Sequence, residues 1–142
     1  MDYMELFKVL YAPSNLPSKD GSCFWHQALS PATSSFSSND KTGKWCVMLT
    51  AAEVDSAWAK IKAAVNDNRL LCAKAATRLS SERHGGSFVI CVYTADWTDE
   101  ADLRRTRGVL RELGFDKPLR YKRDIETING VYGTDDEWYL TL

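Results

Sequence analysis

Ser87–Thr94, SFVICVYT, is apolar on both faces of any strand it forms, because Phe88 through Tyr93 follow one another without a polar break. β-branched and aromatic side chains fit a pleated surface. A strand that is apolar on both sides must also be covered on both sides. The stretch is therefore expected at the centre of a sheet. Gly85-Gly86 turns the chain into it, and Asp96-Trp97-Thr98 leads out toward a charged helix.

The remaining bounds are set by size and charge. A chain of 142 residues is expected to form one domain, 1–142, around one core. A net charge of −1 supplies no global basic field, so any anion site is a local cluster and DNA is not an expected partner. No apolar run approaches the ~20 residues of a membrane helix, and no signal-peptide pattern opens the chain. No membrane partner is expected. Cys23, Cys46, Cys72 and Cys91 lack CxxC-like spacing, and all but Cys23 fall in predicted strands, where Cys behaves as a small hydrophobe. Such thiols suit a reducing, cytoplasmic location. Neither a disulfide framework nor a zinc site is expected, and no cofactor is implied.

Taken in order, Asp2–Ala12 is half apolar and ordered, with helix and strand both open. Pro13–Ser22 is turn chemistry, Cys23–Leu29 a short apolar patch, and Ser30–Thr42 a long flexible loop of the kind that often carries function. Gly43–Leu49 alternates as a strand. Thr50 with Glu53 makes a capping box for a helix whose stripe is Val54, Trp58, Ile61 and Val65. Leu70–Arg78 reads as a strand with Lys74, Ala76 and Arg78 on one face, and Leu79–Gly86 as a polar hairpin loop. Thr98 is the expected N-cap of a helix that buries Leu103, Val109, Leu110 and Leu113 and stops at Gly114. Leu119–Arg123 alternates Leu119 and Tyr121 inward against basic residues outward. Asn129–Gly133 is a turn, and Trp138–Leu142 a closing strand.

This order carries a set of short motifs: Gly43-Lys44-Trp45, Val54-Asp55 with Trp58, Ala73-Lys74, Val89–Thr94, Leu110-Arg111 with Leu113-Gly114, and Tyr121-Lys122 with Asp124 and Thr127. The layout resembles the cap-binding translation initiation factors of the 4E type. The motifs themselves are similar to those of a branch of that fold, the basophilic-leukemia-expressed protein family, over about Phe24 to Tyr132. The resemblance implies an α+β fold: a single curved, mainly antiparallel sheet with helices packed on its convex face and a ligand site on the concave one. Cap-binding factors sandwich a methylated guanine between two tryptophans and read its edge with a glutamate. Here the first long loop offers Phe36 and Asp40 instead, so recognition of a cap is not implied.

The candidate site follows from charge and direction. Lys74 and Arg78 lie four apart on one predicted strand and point the same way, as do Arg120 and Lys122 on another. The resemblance implies that basic residues of the first hairpin take ligand phosphates. Arg grips a phosphate in bidentate fashion and Lys acts as a point charge. The plainer reading is a solvated sheet face. Trp25 and Phe36, in or beside mobile loops, are candidates to stack on a base. Trp45 and Trp58 share their faces with aliphatic residues and read as core. The leading expectation is a binding module for a nucleotide, an RNA end or another phosphorylated small ligand. An alternative is a phosphothreonine-lyase-like or other phosphate-directed enzyme; in the lyase-like case Lys44 is the base, His26 the acid, and Arg78 and Arg120 hold the phosphate. A third is a protein-interaction domain without a pocket. Arg104, Arg105, Arg107 and Arg111 read as a solvated helix face balanced by Asp99, Glu100 and Asp102.

Overall fold

β4 (Phe88–Thr94) lies inside the sheet, hydrogen-bonded on one side to β3 (Cys72–Ala76) and on the other to β2 (Gly43–Leu49). The computed structural model describes residues 2–128 and 139–142. Within them β1 (Trp25–Leu29), β5 (Arg120–Arg123) and β6 (Leu140–Thr141) complete one curved sheet in the order β1-β3-β4-β2-β5-β6, every pairing antiparallel. The expected turn at Asn129–Gly133 and Trp138 of the expected closing strand lie outside the described residues.

The two faces of β4 explain its composition. Phe88, Ile90 and Val92 enter the main core with Trp45, Val47, Ala73, Ala75 and Tyr121. α2 (Ala51–Asn66) closes that core through Val54, Trp58, Ile61 and Val65, and α4 (Glu100–Glu112) through Leu103, Val109 and Leu110. Helices therefore cover the convex face. On the other face Cys91 and Tyr93 pack with Cys72, and Phe36, Leu71 and Val89 lie against them. The capping box forms as the sequence predicts, with the Thr50 amide donating to Glu53 Oε1 at 2.9 Å.

Three local readings need correction. β3 stops at Ala76, and Thr77 caps a short helix, α3 (Arg78–Glu82), so Arg78 does not share a strand face with Lys74. The stretch expected as a hairpin loop thus begins as a helical turn. Asp99 rather than Thr98 caps α4, accepting from the Asp102 amide at 3.2 Å. Arg107, expected on a solvated face, is only 2% exposed. Its guanidinium donates to the carbonyls of Leu142, Phe115 and Lys117, tying α4 to the segment before β5 and to the chain end. Arg104 and Arg105 do pair with Glu100 and Asp102. The segment left open near the start is α1 (Tyr3–Leu10), capped by Asp2, and Cys23–Leu29 contributes β1. Asp124–Ile128 forms α5, which the sequence reading did not anticipate. Among the described residues, no helix is long and apolar enough to cross a membrane.

Candidate functional site

Strand register assembles the concave face. One transverse row runs Gln27, Lys74, Cys91, Cys46, Arg120, Thr141, each residue the direct cross-strand partner of the next. The adjacent row runs Leu29, Cys72, Tyr93, Lys44, Lys122. Directly paired residues point to the same side, so Lys74, Lys44, Arg120 and Lys122 share one face with Tyr93 and three cysteines, Cys46, Cys72 and Cys91. Lys74 and the Arg120–Lys122 pair thus stand on one side of the sheet, as the phosphate reading requires. Lys122 is 9% exposed, however, so it is not the outward residue that alternation on β5 suggested. Its alternation partner Tyr121 is buried too, because both faces of the sheet are covered here.

Lys74 is the best-defined cation of the face. Its Nζ lies 4.0 Å from the ring centroid of Trp25 and 5.9 Å from that of Tyr93. Among the described residues it pairs with no carboxylate. A cation held on aromatic faces keeps its charge available to a ligand. Beside it a cavity of about 350 Å³ is lined by Gln27, Leu29, Phe36, Ser38, Cys72, Lys74 and Tyr93. Phe36 reaches in from the 30–42 loop and tilts against Tyr93 with centroids 5.0 Å apart. Burial, with smaller contributions from neighbouring thiols and Asp124, pushes the Tyr93 phenol far above its ordinary value, so it stays a neutral hydroxyl. Trp25 therefore borders Lys74, and Phe36 lines the same cavity.

Asp124 anchors the loop that covers this face. It is 1% exposed and accepts Lys44 Nζ at 2.7 Å, Ser38 Oγ at 2.6 Å and Thr42 Oγ1 at 2.6 Å. Burial pushes its carboxyl up, but these bonds outweigh burial and hold it below the usual carboxylate range. Desolvation likewise lowers the Lys44 value, and the bond and charge of Asp124 more than reverse this. The bond to Asp124 and the raised value both favour the protonated Lys44 ammonium in this buried pair.

The remaining candidates sit elsewhere. Arg78 donates to the carbonyls of Leu10 and Lys19 and pairs with Glu82 at 3.0 Å, so its guanidinium serves local structure. His26 pairs with Ala75, whose side is the helix-covered one, whereas Lys44 is on the concave side. The acid and base of the enzymatic alternative are on opposite faces. His26 Nε2 instead lies 2.6 Å from Asp20 Oδ2, and Cys23 Sγ lies 3.4 Å from the same oxygen. Burial pushes the Asp20 carboxyl up, yet bonds from His26, Ser22 and Cys23 prevail and hold it well below its ordinary range. No zinc site is expected from the sequence. The donor atoms of Asp20, Cys23 and His26, three apart in sequence, lie within 4.8 Å of one another.

A larger cavity, about 530 Å³, opens beside the start of α2 and residues 114–119, between Glu53, Lys60, Asp116 and Lys117. Its charges are of both signs and no row of cations converges on it. The smaller concave cavity has Lys74 in its lining and no acidic residue.

Comparison with known proteins agrees with this geometry at the level of the fold. The family model described as basophilic leukemia-expressed protein Bles03 matches residues 36–128, well over half of the chain. Among solved structures, a complex of C. elegans eIF4E-3 with the 4E-binding protein Mextli superposes with a TM-score of 0.61 at 16% identity, covering 100% of this chain and 83% of that one. Ascaris suum eIF4E-3 with an m2,2,7G cap gives 0.60 at 16% identity, covering 100% and 82%. A schistosome eIF4E complexed with m7GpppA and 4E-BP gives 0.57 at 15% identity, covering 73% of this chain and 60% of that one.

Proposed function

This chain belongs to the basophilic leukemia-expressed protein Bles03 family, and we propose that it is a binding module for a nucleotide, an RNA end or another phosphorylated small ligand on the concave face of its sheet. The observation that carries this is Lys74: an ammonium that pairs with no described carboxylate, seated between the rings of Trp25 and Tyr93 at the wall of a cavity. In this reading Lys74 meets a phosphate, and Arg120 and Lys122 supply further positive charge along the same face. The interval from β3 to β5 is three strand spacings, about 14 Å. Trp25 and Phe36 flank Lys74 and offer stacking surface to a base. Solved proteins of the same fold are named in complex with cap nucleotides, which supports nucleotides as the first class to try.

The lyase-like version of the enzymatic alternative is less favoured, since it places His26 and Lys44 at one pocket and the two are on opposite faces of the sheet. A protein-interaction role without a ligand pocket is less favoured because the concave cavity is present. The decisive screen is native mass spectrometry of the protein against nucleoside mono-, di- and triphosphates, dinucleotides, cyclic nucleotides and methylated cap analogues. The expected result is a one-to-one adduct with a phosphorylated species and none with its nucleoside. Failure to retain any member of such a panel at near-physiological salt would overturn the reading.

A further inference from the structure

Asp20, Cys23 and His26 lie at the opposite end of β1 from the loop that covers the concave face, and their donor atoms all fall within 4.8 Å of one another. We propose that these residues form a zinc-class metal site. Thiolate, imidazole and carboxylate are together the donor types zinc takes, and a thiolate with an imidazole disfavours calcium and magnesium, which prefer oxygen.

The geometry is near what the ion requires. Tetrahedral donors at ordinary zinc bond lengths sit about 3.3–3.6 Å apart. Cys23 Sγ already stands 3.4 Å from Asp20 Oδ2. The His26 Nε2 to Oδ2 separation of 2.6 Å opens to that range by a small rotation of the imidazole. The ion takes the place of the direct contacts that Cys23 Sγ and His26 Nε2 make with Oδ2. The thiol proton leaves to solvent and the neutral imidazole carries its proton on Nδ1. One divalent cation with one thiolate and one carboxylate is electrically neutral, so no charge is left buried.

The donors are also held in advance. Asp20 Oδ1 accepts the Ser22 amide at 2.8 Å and Ser22 Oγ at 2.6 Å, which turns Oδ2 toward Cys23 and His26. Such bonds to the non-ligating atoms of a carboxylate are what orient it for a metal. The backbone is stapled to the start of α3: the Thr77 hydroxyl donates to the Cys23 carbonyl, the Thr77 amide to Phe24 O, and the Leu79 amide to Asp20 O. At Gly21 a β-carbon would overlap the Arg78 guanidinium and the Leu10 carbonyl, so this turn closes only with glycine. Arg78 itself is neutralised by Glu82. Asp20 is buried while Cys23 and His26 are partly exposed, which leaves solvent access for the ion and for a water in the fourth position.

Cobalt(II) is the probe, because a thiolate ligand gives a near-ultraviolet charge-transfer band that carboxylate and imidazole do not. The full chain, stripped with chelator, should bind one equivalent of Co²⁺ with that band, and added Zn²⁺ should abolish it. Cys23→Ser should remove the band while the d–d absorption weakens, and Cys72→Ser should leave it intact. His26→Gln should weaken Co²⁺ binding by more than roughly a hundredfold, since even outer-shell partners are worth 10–100-fold. Far-UV circular dichroism confirms that each variant is folded. Absence of the band in the wild-type chain overturns the site whatever the variants do, and so does a band that survives in Cys23→Ser.

Discussion

Lys44 Nζ donates to Asp124 Oδ1 at 2.7 Å across 80 residues of chain. The same carboxylate holds Ser38 and Thr42, so one buried acid joins β2, the covering loop and the start of α5. This pair belongs to the architecture of the candidate site rather than to its chemistry. Removing Lys44 leaves Asp124 buried without its counter-charge, a change that costs about 3–5 kcal/mol. Lys44→Met should accordingly lower the unfolding free energy by about that amount in urea titrations. A loss below about 1 kcal/mol would show that the pair is solvated.

The same groups fix the pH dependence. Asp124 and Asp20 both have depressed values in the folded chain. Their contributions are therefore complete above the unfolded carboxylate value of ~3.9 and are lost as pH falls through the lower folded values. Lys44 is raised, so its contribution holds below ~10.4 and fades as pH rises through its folded value. Stability measured by urea unfolding should be level with respect to these groups between them, with the acid limb flattened in Asp124→Asn. An acid limb unchanged in that variant would contradict the assignment.

Gly43 lies beneath Tyr121, whose hydroxyl bonds Thr94 Oγ1 at 2.6 Å; a β-carbon at Gly43 would overlap the hydroxyl and the ring. Gly43→Ala should cost roughly 1–3 kcal/mol by overpacking, and Trp58→Ala, which empties a site 3% exposed, roughly 3–5 kcal/mol. Neither should specifically alter ligand binding. Thermal melts of the two variants unchanged within a degree or two would show that these positions are not packed.

The thiols report on the sheet. Cys46, Cys72 and Cys91 are buried and Cys23 is partly exposed. In the presence of chelator Cys23 should label first with a thiol reagent. It should nonetheless react more slowly than a free thiol, because burial and the adjacent Asp20 raise its pKa. The other three should wait for denaturant. Prompt labelling of all four in the native protein would contradict the strand assignment.

Features with a local cause were legible in the sequence. The double-sided run of β4, the Thr50–Glu53 box and the helical stripe through Trp58 each follow from spacing alone. The place of Lys74 on a strand follows from the run of small residues around it. Arg78 was misplaced because alternation seemed to run on through Thr77. In fact the Thr77 side chain accepts from the Ser80 amide and starts a helical turn. Arg107 and Asp124 were out of reach for a different reason. Their partners come from Phe115, Lys117 and Leu142 for one, and from Ser38, Thr42 and Lys44 for the other, and no periodicity announces such distant pairings. Asp20 stayed hidden in turn chemistry until the fold brought Cys23 and His26 to it.

The central claim is that the concave face, through Lys74, takes a phosphate. It is tested most directly by isothermal titration of the phosphorylated nucleotide retained in the native-mass screen, against wild type and the Lys74→Ala/Arg120→Ala double variant. Charge-assisted hydrogen bonds are worth about 1.5–3 kcal/mol each, so the double variant, shown to be folded by circular dichroism, should bind at least roughly a hundredfold more weakly. Wild-type affinity should also fall with added salt, and that of the variant less so. An affinity that survives both substitutions, with the same salt dependence as wild type, would contradict the account and place the phosphate away from this face.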